Sequence, residues 1–296
     1  MKIRIGIGTG LLAASDASGF AGLVDDLVRL GFDSIWLPEI LTAPTPDPLV
    51  AMAFAAAHNP RLKLGTTMLL PGRNLVRLAK ELATLDVLSE GRLLITFVPG
   101  LPRGPEVGAV GVAPGNRGAL MDEALPLLRR LFAGETVTHH GDSFDLDEVV
   151  VAPSPVQQPL EFWTGGMVPA ALERCGRLAD GWLPSTCTPD EAARGRVVVE
   201  KAAARAGREI SPEHFGVSLA YSPGPLPDEA RRVVTATRKG VDPDQVIPEG
   251  LEALRRTLER FVSVGFSKFV VRPLVPPTEW PGELEALGDA VLELQT

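Results

Sequence analysis

Thr164 to Pro169, TGGMVP, is the stretch of this chain whose residue types and spacing most directly offer chemistry. A strand ends at Thr164, and Gly165-Gly166 lets backbone approach a ligand closely. Pro169 takes a first-turn position that helices favour. The amides at such a helix start lack intrahelical partners and sit at the positive end of the helix dipole, so Thr164, Gly165, Gly166, Met167 and Val168 form a candidate anion site. A phosphate is the expected occupant. A lone Gly-Gly would more simply mark a tight turn; placement at the end of a barrel strand favours the ligand.

The other chemical candidates thin out quickly. His58, His139, His140 and His214 share no ligand spacing, so no metal site is expected. His139-His140 falls in TVTHHGDSFDLDEVVV, which reads as a surface hairpin. Cys175 and Cys187 lack a CxxC spacing; they read as buried packing and suit a reducing cytoplasm. No Ser/His/Asp elbow is present. GIGTG at Gly6–Gly10 puts Leu11 where a dinucleotide fingerprint needs its third glycine, so these glycines read as close packing at a barrel mouth. A phosphate loop without metal ligands or a nucleophile implies that a cofactor carries the chemistry.

The elements that position this loop follow from periodicity. Arg61–Phe97 reads as strand, loop, helix, turn and strand. Asn74 caps a helix whose Leu75, Leu78, Ala79, Leu82 and Leu85 share one face. Strands are also expected at Lys2–Ile7, Asp33–Leu37, Leu160–Thr164, Asp180–Pro184, His214–Ala220 and Lys268–Arg272. Helices lie between them, among them Asp47–His58, Arg117–Phe132, Pro169–Arg177 and Pro189–Ala206. Eight alternations over roughly 250 to 300 residues predict an α/β fold of (β/α)8 TIM-barrel type, with an open doubly wound sheet as the alternative. No linker divides residues 1–296, so one barrel domain is expected, with a long loop at about 99–115 and a hairpin-like insertion at about 135–152.

In such a barrel the ligand lies at the carboxyl ends of the strands. A net charge of −8 without a basic cluster argues against nucleic acid. No apolar run reaches membrane-spanning length, and the N-terminus enters a strand directly, without a secretion signal. A cytoplasmic protein is expected. DPLVAMAFAAAH, at Asp47–His58, is apolar nearly all round, and predicts a homodimer through this second helix.

GFDSIWLPE (Gly31–Glu39), LGTTMLLPGRN, LAKELATLDVLSEGRL (Leu78–Leu93) and GGMVPAALERCGRLADGWLP (Gly165–Pro184) resemble the bacterial-luciferase-like superfamily, in particular its coenzyme F420-dependent oxidoreductase branch. The resemblance spans nearly the whole chain. It implies a luciferase-like barrel holding F420, or alternatively FMN, with the cofactor phosphate at Gly165–Val168. It further implies cofactor contacts at Thr66, Thr67, Met68, Pro99 and Gly100, and a non-prolyl cis peptide within Thr66–Met68. Where F420-dependent alcohol and sugar-phosphate dehydrogenases carry Asp-His after strand two, this chain has Glu39 and Ile40; where they carry a glutamate after strand four, it has Leu101. Alcohol oxidation needs an acceptor for the hydroxyl proton. The resemblance therefore favours F420-dependent reduction of an activated C=C or C=N bond in a small organic substrate. An FMN-dependent monooxygenase and a non-catalytic cofactor-binding protein are the alternatives. Glu39 is the candidate catalytic group, as a hydrogen-bond partner or proton relay beside the ring, or else a helix-entry charge. Arg103, Tyr221 and Arg272 are candidate substrate contacts. Arg103 and Arg117 flank the long loop. Arg272 either meets a substrate or cofactor carboxylate or pairs with an acid at the rim.

Overall fold

The computed structural model describes residues 1–10 and 16–296. Leu11 and Leu12, at the end of the first expected ligand loop, lie outside the described residues. In chain order the elements are β1 (Arg4–Gly8), α1 (Ala17–Leu30), β2 (Ser34–Pro38), α2 (Pro48–His58), β3 (Lys63–Leu69), α3 (Leu75–Leu88) and β4 (Leu93–Val98). A four-residue helix α4 (Glu106–Ala109) interrupts the long loop, and α5 (Arg117–Phe132) follows. Next come β5 (Val137–His140), β6 (Asp145–Val149), β7 (Phe162–Thr164), α6 (Pro169–Leu178), β8 (Gly181–Trp182) and α7 (Pro189–Arg205). The chain closes with β9 (Gly216–Tyr221), α8 (Asp228–Thr237), α9 (Gly250–Ser263), β10 (Lys268–Pro273) and α10 (Trp280–Val291).

Eight strands form one parallel sheet in the order β8-β7-β4-β3-β2-β1-β10-β9. Bridges Trp182–Phe215 and Ser185–Ser218 link its two edges, so the sheet is a nearly closed barrel. β5 and β6 stand apart as an antiparallel pair, the expected hairpin. Its histidines pair locally: His139 with Glu123 at 2.9 Å and His140 with Asp145 at 2.6 Å.

The helices begin where side chains satisfy their first amides. Asp16, Asp47 and Asn74 cap α1, α2 and α3, and Thr188 with Glu191 forms a reciprocal capping box on α7. α6 is different: its N-cap is Val168, and no side chain caps it.

Alternation along each strand separates two cores. Ile35, Leu37, Leu64, Phe97, Phe162 and Leu219 face the helices and join the large outer core. Trp36, Leu94, Trp163, Leu183 and Val270 fill the barrel itself. Glycines admit the two tryptophans. A Cβ on Gly65 would stand 2.3 Å from the Trp36 ring, and one on Gly181 would stand 2.4 Å from that of Trp163. Charged pairs such as Arg4–Asp33 and Lys63–Asp33 close the amino-terminal end. Among the described residues no helix is long and apolar enough to cross a membrane.

The expected non-prolyl cis peptide is a correction. The cis bonds among the described residues precede Pro153 and Pro159. Thr66–Met68 instead runs in unbroken register beside β4, with Thr66 and Thr67 also paired to β2 and Thr66 Oγ1 donating to the Leu37 carbonyl at 2.9 Å.

Candidate active site

At the carboxyl ends of the strands lies a cavity of about 400 Å³. Its walls come from all eight barrel strands or the loops after them, including Gly8, Pro38, Thr67, Val98, Gly165, Ser185, Ser218 and Arg272. Strand parity decides which predicted residues reach it. Thr67 points inward and lines the wall; Thr66 and Met68, on either side, point outward to the helices. Thr164 likewise turns outward, beside the Cys175 thiol, whereas Gly165 and Gly166 line the cavity.

Glu39 is also corrected by parity. Pro38 and Ile40 line the cavity, and Glu39 between them does not. Its carboxylate accepts from the Leu69 amide at 2.7 Å and pairs with Arg73. Burial raises its pKa, opposed chiefly by the Arg73 charge. Glu39 thus ties the loop after β3 to the end of β2, away from the cavity. Tyr221 faces outward too. It is fully buried, donates to Glu283, and is raised far above the ordinary phenol range by burial and that carboxylate.

Pro99 and Gly100 belong to the foundation of the long loop. Arg117 is almost fully buried and donates to four carbonyls, those of Val112, Pro99, Leu101 and Val107, at 2.9 to 3.2 Å. Gly100 has a φ of +77°, and a Cβ there would stand 3.1 Å from Arg117 Nη1. Arg117 is therefore used up in shaping residues 99–115. Arg103 is exposed on that loop and does not line the cavity. Hydrogen bonds to a charged group contribute about 1.5–3 kcal/mol each. Arg117→Ala should therefore free the loop, and trypsin should cut after Arg103 roughly tenfold faster; an unchanged cleavage rate would show that the loop is held by other means.

The glycine loop after β7 keeps its expected form. Trp182 Nε1 donates to the Gly166 carbonyl at 3.0 Å, Gly166 has a φ of +98°, and a Cβ there would meet that of Ala171 at 3.0 Å. Met167 packs against the outer core, and Val168 is exposed. Among the described residues the amides of Gly166, Met167, Val168 and Ala170 have no acceptor. An uncapped eight-residue-plus helix, a glycine cradle and bare amides fit the phosphate of a nucleotide-type cofactor.

Arg272 is the one ionisable side chain in the cavity wall among the described residues. Gly8 and Gly10 make room for it: their Cβ atoms would stand 3.2 Å from Arg272 Cβ and 3.7 Å from its Cδ. GIGTG is thus a packing motif, as its spacing implies. Ser185, three residues after β8, and Ser218, inward-facing on β9, also line the cavity. Ser218 was not among the candidates; counting alternate residues back from the end of its strand is the signal that would have found it. No cluster of His, Cys, Asp and Glu suited to a metal occurs among the described residues. Cys175 and Cys187 are buried and pushed up to about 12 by that burial. Iodoacetamide at pH 8 should leave both thiols unmodified in the native protein and alkylate both after denaturation; native labelling would contradict this burial.

The barrel mouth thus joins a glycine loop with bare amides to a largely apolar wall. The sequence model described as Luciferase-like monooxygenase matches residues 2–263, and this chain belongs to that family. Limonene 1,2-monooxygenase of Rhodococcus erythropolis is 31% identical over 170 residues, covering 56% of this chain but only 44% of that protein. A monooxygenase from Streptomyces bottropensis superposes with a TM-score of 0.81 at 21% identity, over 99% of both chains. An F420-dependent secondary alcohol dehydrogenase, solved with an F420-acetone adduct, superposes with a TM-score of 0.82 at 19% identity over 100% of both. These two likenesses show the fold. Membership of this family supports an oxidoreductase activity.

Proposed function

We propose that this protein is a flavin-dependent monooxygenase acting on a small organic substrate. The family match and the limonene monooxygenase relative carry the choice, and alcohol oxidation is disfavoured because among the described residues the cavity wall holds no carboxylate or histidine. Ile40 stands in the wall where the alcohol dehydrogenases of this superfamily carry histidine, and Leu101 is exposed outside it. Oxidation of an alcohol by hydride loss would lack its base. Reduced FMN, when bound, supplies the two electrons that let one atom of dioxygen enter the substrate and the other leave as water. The bare amides of Gly166, Met167, Val168 and Ala170 would hold the phosphate, while Ile40, Val98 and Leu274 would exclude water from the reacting centre. Family membership and the limonene monooxygenase relative support this reading.

F420-dependent reduction of an activated C=C or C=N bond is the second reading. It is favoured by the F420-dependent structural relative and by the same absence of a base. Fluorescence titration separates the two. Micromolar affinity for FMN, with oxygen consumed when reduced FMN and a small alkene are supplied, is the expected result. Micromolar affinity for F420 with none for FMN would establish the second reading instead.

The protein works as a homodimer in this proposal. Val50, Ala53, Phe54 and Ala57 form an exposed stripe along α2, opposite the buried Ala51, Met52 and Ala55. Sedimentation at micromolar concentration should give twice the chain mass, reverting to one in Val50→Glu/Phe54→Glu; a wild-type monomer would remove the proposal.

A further inference from the structure

The Arg272 side chain makes no ion pair or hydrogen bond with any described residue, though its neighbours enclose it at the mouth of the barrel. Burial depresses its pKa, and no acid counters that effect. Three other guanidiniums near this end are engaged: Arg73 with Glu39, Arg117 with four carbonyls, and Arg238 with Glu191. A largely buried cation without a counter-charge is costly, and a protein retains one where a ligand completes it. Two glycines on β1 and the loop after it leave the space in which this side chain lies.

We propose that Arg272 receives a carboxylate on the organic substrate, so that this enzyme selects small carboxylic acids with an apolar body. The guanidinium presents a planar fork matched to a carboxylate. Around it the wall is apolar, with Trp36, Ile40, Val98 and Leu274, which suits a hydrocarbon or aromatic remainder. The hydroxyls of Ser218, on the neighbouring β9, and of Ser185, after β8, add donors in the same cavity. The glycine loop follows β7, two strands beyond β9 across the barrel, so the phosphate and carboxylate sites are separate walls of one cavity.

The inference rests on the reading of this mouth as the redox site, yet its test does not require turnover. Benzoate and benzamide have nearly one shape and differ in charge. Each is titrated by calorimetry into wild type, Arg272→Gln and Arg272→Lys, with the protein as purified and again saturated with FMN. Wild type should prefer benzoate at least tenfold. Arg272→Gln should bring the preference below twofold, and Arg272→Lys should keep its sign. FMN affinity should change less than threefold in either variant. Equal binding of the two probes by wild type, or no binding of benzoate, would overturn the proposal, and this arm stands whether or not the variants fold. A preference that survives in Arg272→Gln would overturn it too. So would loss of FMN affinity in that variant without loss of benzoate preference, which would make Arg272 a cofactor residue. If wild type binds neither FMN nor F420 but keeps an Arg272-dependent preference for benzoate, the carboxylate site stands and the redox reading falls.

Discussion

Gly166→Val is expected to weaken FMN binding by roughly a hundredfold while leaving the barrel folded. Gly166 adopts a φ of +98°, a backbone region that costs an L-residue about 1–2 kcal/mol. Any Cβ there also meets that of Ala171 at 3.0 Å, in the first turn of α6. Relief requires the backbone from Gly166 to Val168 to shift, and this segment carries the amides proposed to face the phosphate. Losing one such bond to a charged group costs about 1.5–3 kcal/mol. Together with strain, about 2.7 kcal/mol corresponds to a hundredfold in affinity. Flavin fluorescence quenching reads this directly. An unchanged dissociation constant would place the phosphate elsewhere and remove the cofactor assignment for this loop.

Glu39→Ala should act on stability, by about 3 kcal/mol, rather than on the chemical step. The Glu39 and Arg73 side chains are only 6% and 20% exposed, and the same carboxylate also accepts the Leu69 amide. Removing one member of a largely buried pair leaves the other without its counter-charge, at a cost of about 3–5 kcal/mol. Partial access of water to Arg73 places the expectation at the lower end. For a chain of this length that is roughly 5 °C in melting temperature. Arg73→Ala should cost less, because burial already disfavours the Glu39 carboxylate and its raised pKa lets it take a proton when the cation is lost. Loss of activity in Glu39→Ala at unchanged melting temperature would restore the proton-relay role.

Nearly all of the architecture was legible in the residue pattern, because it depends on local repetition. Parallel strands covered on both faces read as short apolar runs, and each helix shows its buried stripe and often its cap, as Asn74 does for α3. Arg117–Phe132 is a helix with the expected bounds. The loop after β7 was equally legible: Gly-Gly followed by Pro states its own backbone conformation, and the uncapped α6 follows from it. α4 was not legible, since four residues supply no period.

The site was legible only as a set of loops. Thr66, Met68 and Tyr221 sit at the right height on their strands yet face the helices, while Thr67, Ser218 and Arg272 face the cavity. A one-residue change in where a strand begins reverses every side chain on it, and apolar runs buried on both faces carry no alternation to set that parity. Pairing was likewise hidden: Glu39 meets Arg73 across two strands, and Arg117 gathers carbonyls from 5 to 18 residues away. Elements arise from neighbours along the chain, and their order is written there. Which charges are cancelled depends on closing the sheet, when residues remote in sequence arrive at one mouth and the Arg272 side chain is left in the cavity wall without a partner among the described residues.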